Sequence, residues 1–413
     1  MQQARRLFVI VCLLAACVSP ATTFAAARHH HHRPAATTTR QAAPAGPPIV
    51  VPTPELLVDM QTGNVLYEDN AGAPWHPASL TKLMTAYVAF QAIAQGRATL
   101  DTRVTMSVKA VNQAPSRSGL PAGDSVTLKD ALYIMLVKSA NDMAVAIAET
   151  LAGSTEAYAA EMNATAATLG LTRTHYDNVN GLPDDGQVTT ARDLAVLAID
   201  LRRTFPQYDE IYTTQSVQIG KVSLKASNDM LAKLAGTTGM KTGYICSSGL
   251  NIVATVRRGG RELLAVVLGR ASARERDQTA AQLVLGGFSG QYPDRGKNVV
   301  DIIDDRTATP IDMKPLLCGA KARAYVAQQR QQHPFGLKGQ PNFLTDKVAA
   351  APYIATDLGR IGGSGPVLSS VESEGQPAEG DAGPGDDTPA LDAAASAPAA
   401  SAVHPLPRPA RRR

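Results

Sequence analysis

The sequence predicts an α+β fold in which an antiparallel sheet is flanked by helices. Strand patterns stand at both ends of a segment that runs from residue 55 to residue 290, and amphipathic helices fill its middle. The strands at each end are joined by tight turns, which connect antiparallel rather than parallel strands. We therefore expect the two ends to pair in one sheet that the helices cover.

The individual elements follow from local patterns. A hairpin is predicted over residues 56–68, because a turn that contains Gly63 separates two short apolar runs. An amphipathic helix is predicted from Ser79 to about Gln95, where Gly96 ends it. Further helices are predicted over residues 128–138, 142–152, 155–169, 191–203 and 274–285, and further strands over 249–257 and 262–268.

The flanks of the predicted 55–290 domain differ from it in composition. Residues 1–27 combine a basic start, an apolar run too short to span a membrane and small residues, which predicts a signal peptide. Residues 28–54 are rich in Pro, Ala and Thr and are expected to form a spacer. We expect a weakly ordered extension over 291–358 and a disordered Pro/Ala/Gly-rich tail with a basic end over 359–413.

Two kinds of signal processing fit the first residues. Ala25 and Ala27 suit ordinary cleavage before Arg28, which we favour, whereas the stretch that ends at Cys17 is typical of a lipoprotein signal with a lipidated cysteine. Both place the mature protein in the periplasm or at the outer face of the inner membrane. Membrane association would then be peripheral or through a lipid anchor.

Charge and cysteine content restrict the partners. The net charge of +4 is too small to indicate a polyanionic partner, and an exported chain without a recognition motif is not expected to bind nucleic acid. Cys246 and Cys318 remain after the signal region. They are expected either to form a disulfide in an oxidising compartment or to stay as buried thiols.

The first of three polar motifs is Ser79-Leu80-Thr81-Lys82. A helix places its serine and lysine one turn apart on the same face. A serine hydroxyl becomes a nucleophile when a base takes its proton, and a lysine can be that base when its own charge is disfavoured. Taken alone, the motif is better explained by a helix cap followed by a surface lysine.

The second and third motifs change that balance. Ser139 and Asn141 interrupt an apolar helical stretch, where they can cap a helix or present a hydroxyl and an amide to a cleft. Lys241, Thr242 and Gly243 combine a cation, a hydroxyl and a glycine on a predicted strand, which suits either an edge strand or a carboxylate site. The occurrence of all three motifs in this order indicates a single active site.

With these motifs the sequence resembles the serine D-alanyl-D-alanine carboxypeptidases, which are low-molecular-mass penicillin-binding proteins. The resemblance covers about residues 54–289 and includes the stretches PASLTKLMTAYVAF, LKDALYIMLVKSANDMAVAIAE, THYDNVNGLPDDGQVTTARDLA and TTGMKTGYICSSGLNIVATV. It implies a penicillin-recognising serine transpeptidase/β-lactamase-like fold. It also implies action on peptidoglycan stem peptides, acylation by β-lactam antibiotics, and no metal or organic cofactor.

The resemblance implies roles for the motif residues. Ser79 would be the acylated nucleophile and Lys82 its general base. Ser139 would relay a proton to the leaving amine, and Asn141 would hold the substrate amide. Lys241 would help to keep Lys82 neutral, because a like charge nearby disfavours a second ammonium.

Further residues are implied in substrate binding. Thr242 would bind the terminal carboxylate, and Arg274 either assists it or faces solvent. The backbone N–H groups of Ser79 and Tyr244 would form the oxyanion hole, and Gly243 allows a close approach. Tyr244 stands where some relatives have a histidine, which bears on fine specificity.

The C-terminal part departs from the family, since the second domain and amphipathic anchor of well-known members are not evident after Gly290. We hypothesise instead that Cys318 pairs with Cys246 and folds this part back onto the catalytic domain. The alternatives in function are a D,D-endopeptidase, a class A-like β-lactamase and a non-catalytic wall-binding protein. Residues 172–181 lack the glutamate that such a β-lactamase needs, and the intact motifs disfavour the non-catalytic protein.

Overall fold

The computed structural model describes residues 48–349, 352–356 and 358–360. The predicted signal peptide, most of the predicted spacer and nearly all of the predicted tail lie outside the described residues. Among the described residues, no helix combines the length and the apolar character that crossing a membrane requires.

The secondary structure of the described chain consists of short strands and helices. The strands are β1 (Glu55–Asp59), β2 (Val65–Asp69), β3 (Arg103–Thr105), β4 (Asp124–Thr127), β5 (Ser216–Ile219), β6 (Val222–Lys225), β7 (Thr237–Ile245), β8 (Gly249–Arg258), β9 (Arg261–Arg270), β10 (Tyr353–Ala355) and β11 (Leu358–Arg360). The helices are α1 (Thr81–Ala94), α2 (Val108–Val111), α3 (Leu128–Val137), α4 (Asn141–Ala152), α5 (Thr155–Thr168), α6 (Ala191–Thr204), α7 (Asp209–Thr213), α8 (Met230–Lys233), α9 (Ala273–Phe288), α10 (Lys314–Leu317) and α11 (Ala322–Gln332).

The main sheet of the described chain has five strands in the order β2-β1-β9-β8-β7, and every neighbouring pair is antiparallel. Leu57 of β1 lies opposite Ala265 of β9, so the first hairpin of the chain joins the strands that come after the helices. The predicted fold, one antiparallel sheet built from both ends of the segment and flanked by helices, is confirmed. Strand β7 forms one edge of this sheet.

Helices cover both faces of the main sheet, and the alternation of side chains along each strand supplies both interfaces. Leu57 and Ile252 pack on the side of Val284 in α9. Their neighbours Leu56 and Val253 point to the opposite face, into the larger core that contains α1, α3, α4 and α6. All five side chains are fully buried.

Helix α1 is more deeply buried than its predicted amphipathic pattern indicates. Every residue from Thr81 to Phe90 is buried, because α3, α4, α5 and α6 surround the helix. A helix that is enclosed on all sides belongs to the protein core. The polar side chain of Lys82 is therefore fully buried.

Helices occupy part of the region where the sequence predicts a weakly ordered extension. Met313 precedes α10 and Tyr325 lies in α11, and both side chains are buried in the larger core. Asp304 accepts hydrogen bonds from Thr172 Oγ1 at 2.5 Å and Thr190 Oγ1 at 2.8 Å, which ties the extension to the segment before α6. The sequence shows only a weak pattern here, because α10 is a single turn. Helix α11 buries residues at helical spacing, but Ala322 is small and Gln329 is polar, so the apolar stripe is faint.

A disulfide joins Cys246 and Cys318, as hypothesised from the sequence. Their Cα atoms lie 5.8 Å apart, and the bond links the end of β7 to the residue that follows α10. The Met313 N–H also donates to Ser247 O at 3.0 Å. The extension is therefore fastened, covalently and by hydrogen bonding, to the turn between β7 and β8.

Replacing Cys246 and Cys318 together by serine is expected to lower the free energy of unfolding by about 4 kcal/mol, because the disulfide spans a sequence separation of 72 residues. Urea unfolding of the purified protein without reductant measures this loss. Reduced wild type should unfold at the same urea concentration as the double variant, and reductant should leave the unfolding midpoint of the variant unchanged. A double variant with the unfolding midpoint of oxidised wild type would contradict the expectation.

Candidate active site

The structure brings the three sequence motifs together. Ser79 lies in a 3₁₀ turn just before α1, and Lys82 lies in the first turn of α1. Lys82 Nζ is 2.8 Å from Ser79 Oγ and 2.6 Å from Asn141 Oδ1, which joins the first motif to the second. Lys241 Nζ donates to Ser139 Oγ at 2.9 Å and joins the second motif to the third.

Lys82 Nζ has a third neighbour that the sequence analysis did not identify, the backbone carbonyl oxygen of Asn180 at 2.6 Å. The Asn141 and Asn180 oxygens can only accept hydrogen bonds, whereas a hydroxyl can also donate. A neutral amine has two N–H groups and one lone pair. When the two N–H groups serve the two carbonyl-type oxygens, the lone pair is left for the proton of the Ser79 hydroxyl.

The surroundings of Lys82 favour this neutral form. The side chain is fully buried, and burial lowers its pKa well below the usual lysine value. The ammonium of Lys241 lowers the pKa further, as the sequence analysis expects, and Asp142 acts in the opposite direction. Burial is the larger cause, so the enclosure of α1 contributes directly to the chemistry of its lysine.

The backbone around the two serines is held in an uncommon conformation. Ala78, just before Ser79, has φ 47°, and Ser139 itself has φ 64°. This left-handed region costs an L-residue about 1–2 kcal/mol. Neighbouring contacts must offset the cost, and residues held in this way concentrate at functional sites.

Two glycines allow other segments to approach the backbone of Ala78 and Ser79 closely. A Cβ atom on Gly181, whose φ is 87°, would lie 1.9 Å from Ala78 O. A Cβ atom on Gly243 would lie 3.0 Å from the backbone nitrogen of Ser79. The loop after α5 and the edge strand β7 therefore both pack against the backbone that presents Ser79.

Asn141 uses both ends of its side-chain amide. Nδ2 donates to Ala114 O at 2.9 Å, and this contact assigns Oδ1 to the side of Lys82. Because an amide oxygen accepts two hydrogen bonds, Oδ1 can bind Lys82 and a substrate N–H at the same time. The geometry is thus compatible with the role that the resemblance implies for Asn141.

A hydroxyl pair and an arginine lie beside the third motif. Thr242 Oγ1 is 2.5 Å from Ser227 Oγ, and Arg276 Nη2 donates to Ser227 O at 3.3 Å. The Arg276 side chain is 1% exposed and also contacts the carboxylate of Asp277. The sequence does not predict a role for Ser227 or Arg276, because nothing in the local pattern marks either residue.

Arg274, which the sequence analysis considers for the terminal carboxylate, lies elsewhere. Its Nη1 donates to His333 O at 2.8 Å and to Phe335 O at 2.6 Å, so it holds the end of the extension rather than facing solvent. Side chains two positions apart on a helix point about 200° apart. Arg276 therefore reaches Ser227 on one side of α9, while Arg274 reaches the segment after α11 on another.

Tyr244 directs its side chain to the disulfide. Its Oη is 3.3 Å from Cys318 Sγ and 3.8 Å from Cys246 Sγ. The residue that follows the third motif is therefore packed against the attachment point of the extension. Among the described residues, no cluster of three or more His, Cys, Asp or Glu side chains is arranged to hold a metal ion.

Gly181→Ala is expected to slow acylation of the protein by a penicillin by tenfold or more, because the new methyl group would displace the backbone of Ala78 and Ser79. Gly153→Ala is the matched control, since Gly153 has φ 79° and open space around it. Both changes carry the cost of a left-handed backbone, about 1–2 kcal/mol, and the overlap with Ala78 O adds to it in Gly181→Ala. Equal acylation rates in the two variants would contradict the expected contact.

Comparisons with known proteins agree with this arrangement. The family model described as D-alanyl-D-alanine carboxypeptidase matches residues 42–272. D-alanyl-D-alanine carboxypeptidase DacC of Escherichia coli (strain K12) is 35% identical over 240 residues, which make up 56% of this chain and 60% of that protein. The chain therefore spans less than two thirds of the length of this relative.

Solved structures show the same similarity. The crystal structure of penicillin binding protein 6B from Escherichia coli has a TM-score of 0.55 and 34% identity, over 59% of this chain and 79% of that one. Penicillin-Binding Protein D2 from Listeria monocytogenes in its ampicillin-bound form has a TM-score of 0.51 and 29% identity, over 59% of this chain and 100% of that one. All three motifs lie within the residues that the family model matches, and the chain belongs to the D-alanyl-D-alanine carboxypeptidase family.

Proposed function

We propose that the protein is a serine D,D-carboxypeptidase that removes the terminal D-alanine from peptidoglycan stem pentapeptides. The observation that carries the proposal is the 2.8 Å contact between Lys82 Nζ and Ser79 Oγ, in which both N–H directions of the amine are taken by acceptor oxygens. Family membership supports the same reaction.

The first step is acylation of the serine. The neutral amine of Lys82 takes the Ser79 proton while Ser79 Oγ attacks the carbonyl carbon of the penultimate D-alanine. Negative charge then develops on the former carbonyl oxygen, and the backbone N–H groups of Ser79 and Tyr244 stabilise it. The close approach of Gly243 to Ser79 supports a position for this oxyanion between β7 and the nucleophile.

The second step releases terminal D-alanine. The proton taken by Lys82 passes through Ser139 to the nitrogen of the leaving amine, and the bond between that nitrogen and the acyl carbon breaks. The hydrogen bond from Lys241 to Ser139 supports this route, because it fixes the position of the Ser139 hydroxyl. Water then attacks the ester, restores the Ser79 hydroxyl and frees the shortened peptide.

Substrate binding follows from the edge position of β7. An extended peptide can pair with an exposed edge strand through its backbone. The terminal carboxylate would lie at Thr242, with Ser227 as a second hydroxyl and the guanidinium of Arg276 as the positive charge behind them. Arg276 takes the place that the sequence analysis considers for Arg274.

Penicillins mimic such a peptide and would acylate Ser79 in the same way. The loop after α5 contributes a backbone carbonyl to Lys82 rather than a carboxylate that could activate water. We therefore expect a penicillin adduct that hydrolyses slowly, unlike that of a β-lactamase. The predicted signal peptide supports a periplasmic location for this activity.

Ser79→Ala is expected to reduce release of D-alanine from a stem pentapeptide by roughly 10³-fold or more, because the variant has no nucleophile to acylate. It should also show no mass increase after penicillin treatment, whereas wild type gains one penicillin. Thermal unfolding verifies that the variant is folded. Rapid turnover of penicillin by wild type would instead favour a β-lactamase.

Arg276→Gln is expected to raise KM for a peptide that ends in a free carboxylate by about tenfold or more, because a charge-assisted contact is lost. Arg274→Gln is the matched control and should leave this KM unchanged. With a peptide that ends in an amide, the two variants should have the same KM. A larger rise in KM for Arg274→Gln than for Arg276→Gln would indicate that Arg274 binds the terminal carboxylate.

A further inference from the structure

We propose that Asp142 is a positioning residue: it holds the loop of residues 114–120 against the second motif and thereby orients Asn141 toward Lys82. The proposal rests on the proposed function, since it concerns the base that activates Ser79. The Asp142 side chain is 1% exposed and is not part of any of the three motifs.

The contacts of Asp142 are those of an ionised carboxylate. Oδ2 accepts from the Ser118 N–H at 2.8 Å and from the Ser118 hydroxyl at 2.7 Å, and Oδ1 accepts from the Met143 N–H at 2.8 Å. The Ser118 N–H also lies 3.0 Å from Oδ1. Two of these donors are backbone N–H groups, which cannot accept a proton from a carboxyl. Burial raises the pKa of Asp142, and the hydrogen bonds from Ser118 and Met143 lower it by stabilising the ionised form. Asp142 thus binds the 114–120 loop through Ser118.

The same loop encloses the second motif. The Asn141 N–H donates to Ser116 O at 2.7 Å, and the Ser116 hydroxyl donates to Lys138 O at 3.0 Å. Asn141 Nδ2 donates to Ala114 O at 2.9 Å. The loop therefore fixes both the backbone and the side-chain amide of Asn141.

The direction of this amide decides what Lys82 can do. With Nδ2 on Ala114 O, Oδ1 takes one N–H of Lys82, and the lone pair of the amine is left for Ser79. A flipped amide would present an N–H to Lys82 and occupy that lone pair. A displaced loop would therefore weaken the base without changing any residue that touches the substrate.

Asp142 also contributes a charge. Of the groups that face Lys82, Lys241 in β7 lowers its pKa and Asp142 in α4 raises it, while Arg117 in the loop faces Asp142. The Asp142 carboxylate thus partly offsets the loss of base strength that burial and Lys241 cause in Lys82. A general base is most effective when its pKa lies near the working pH.

A purely structural role must be separated from this one, because an acidic residue in the first turn of a helix stabilises that helix. Asp130 supplies the matched control. It is a buried acidic residue in the first turn of α3, and it accepts a hydrogen bond from Tyr353 Oη at 2.6 Å instead of contacting the second motif. Asp130→Asn removes an equivalent helix charge away from Asn141.

The experiment measures the rate of acylation by a fluorescent penicillin from acidic to alkaline pH for wild type, Asp142→Asn, Ser118→Ala and Asp130→Asn. Asp142→Asn should lower the plateau rate by about tenfold or more, and Ser118→Ala should lower it several-fold. Asp142→Asn alone should also move the acid limb of the profile to lower pH, because Lys82 loses the anion that raises its pKa. Asp130→Asn should keep the wild-type profile.

The outcomes are distinguishable from failure of the proposed function, which would appear as a wild type that penicillin does not acylate. If wild type is acylated and Asp142→Asn retains both its plateau and its acid limb, the proposal is overturned. A folded Ser118→Ala variant with the wild-type plateau overturns it as well, and this variant decides the matter if Asp142→Asn does not fold. An equal shift of the acid limb in Asp130→Asn would also overturn the proposal. It would show that Asp142 acts only through the charge that any acidic residue in the first turn of a helix supplies.

Discussion

The structure depends on one interaction, the placement of a buried amine among three oxygen atoms. An isolated ammonium inside a protein is costly, and the usual response is loss of the proton. Lys82 meets this condition because α1 is enclosed on all sides, while Asn141 and Asn180 supply acceptors for its two N–H groups. The remaining lone pair is thereby directed at Ser79. Enclosure of the helix and the placement of the amine beside the Ser79 hydroxyl are consequences of the same packing.

Four segments that are distant in the sequence meet around this amine, and three of them are held by contacts with other parts of the described chain. The turn at Ser139 is enclosed by the 114–120 loop, and β7 is fixed along its length by β8. The segment that carries Asn180 is joined to the C-terminal extension through Asp304. The extension is in turn tied to the end of β7 by the disulfide. Contacts outside the three motifs thus hold the segments of the site in place.

Features with a local signature could be predicted from the sequence, and features without one could not. Hairpins, helix caps and the three motifs depend on residues a few positions apart, so the sheet and the meeting of Ser79 with Lys82 followed from pattern alone. The Asn180 contact uses a backbone carbonyl, which has no signature in the side-chain sequence. The choice between Arg274 and Arg276 depends on helix phase relative to β7, and the sequence places the start of α9 only approximately. The order in the extension arises from isolated buried residues such as Met313 and from α11, whose buried face has only Tyr325 and Val326 as large apolar residues.

The disulfide has a consequence for how the protein withstands proteases. Cys246 and Cys318 bracket β8, β9 and α9, together with the exposed stretch around Arg295. A single peptide-bond cut in that stretch would leave two fragments that stay covalently joined under oxidising conditions. A nicked molecule would therefore keep Ser79 and its C-terminal part in one particle, and it would separate into two bands only after reduction.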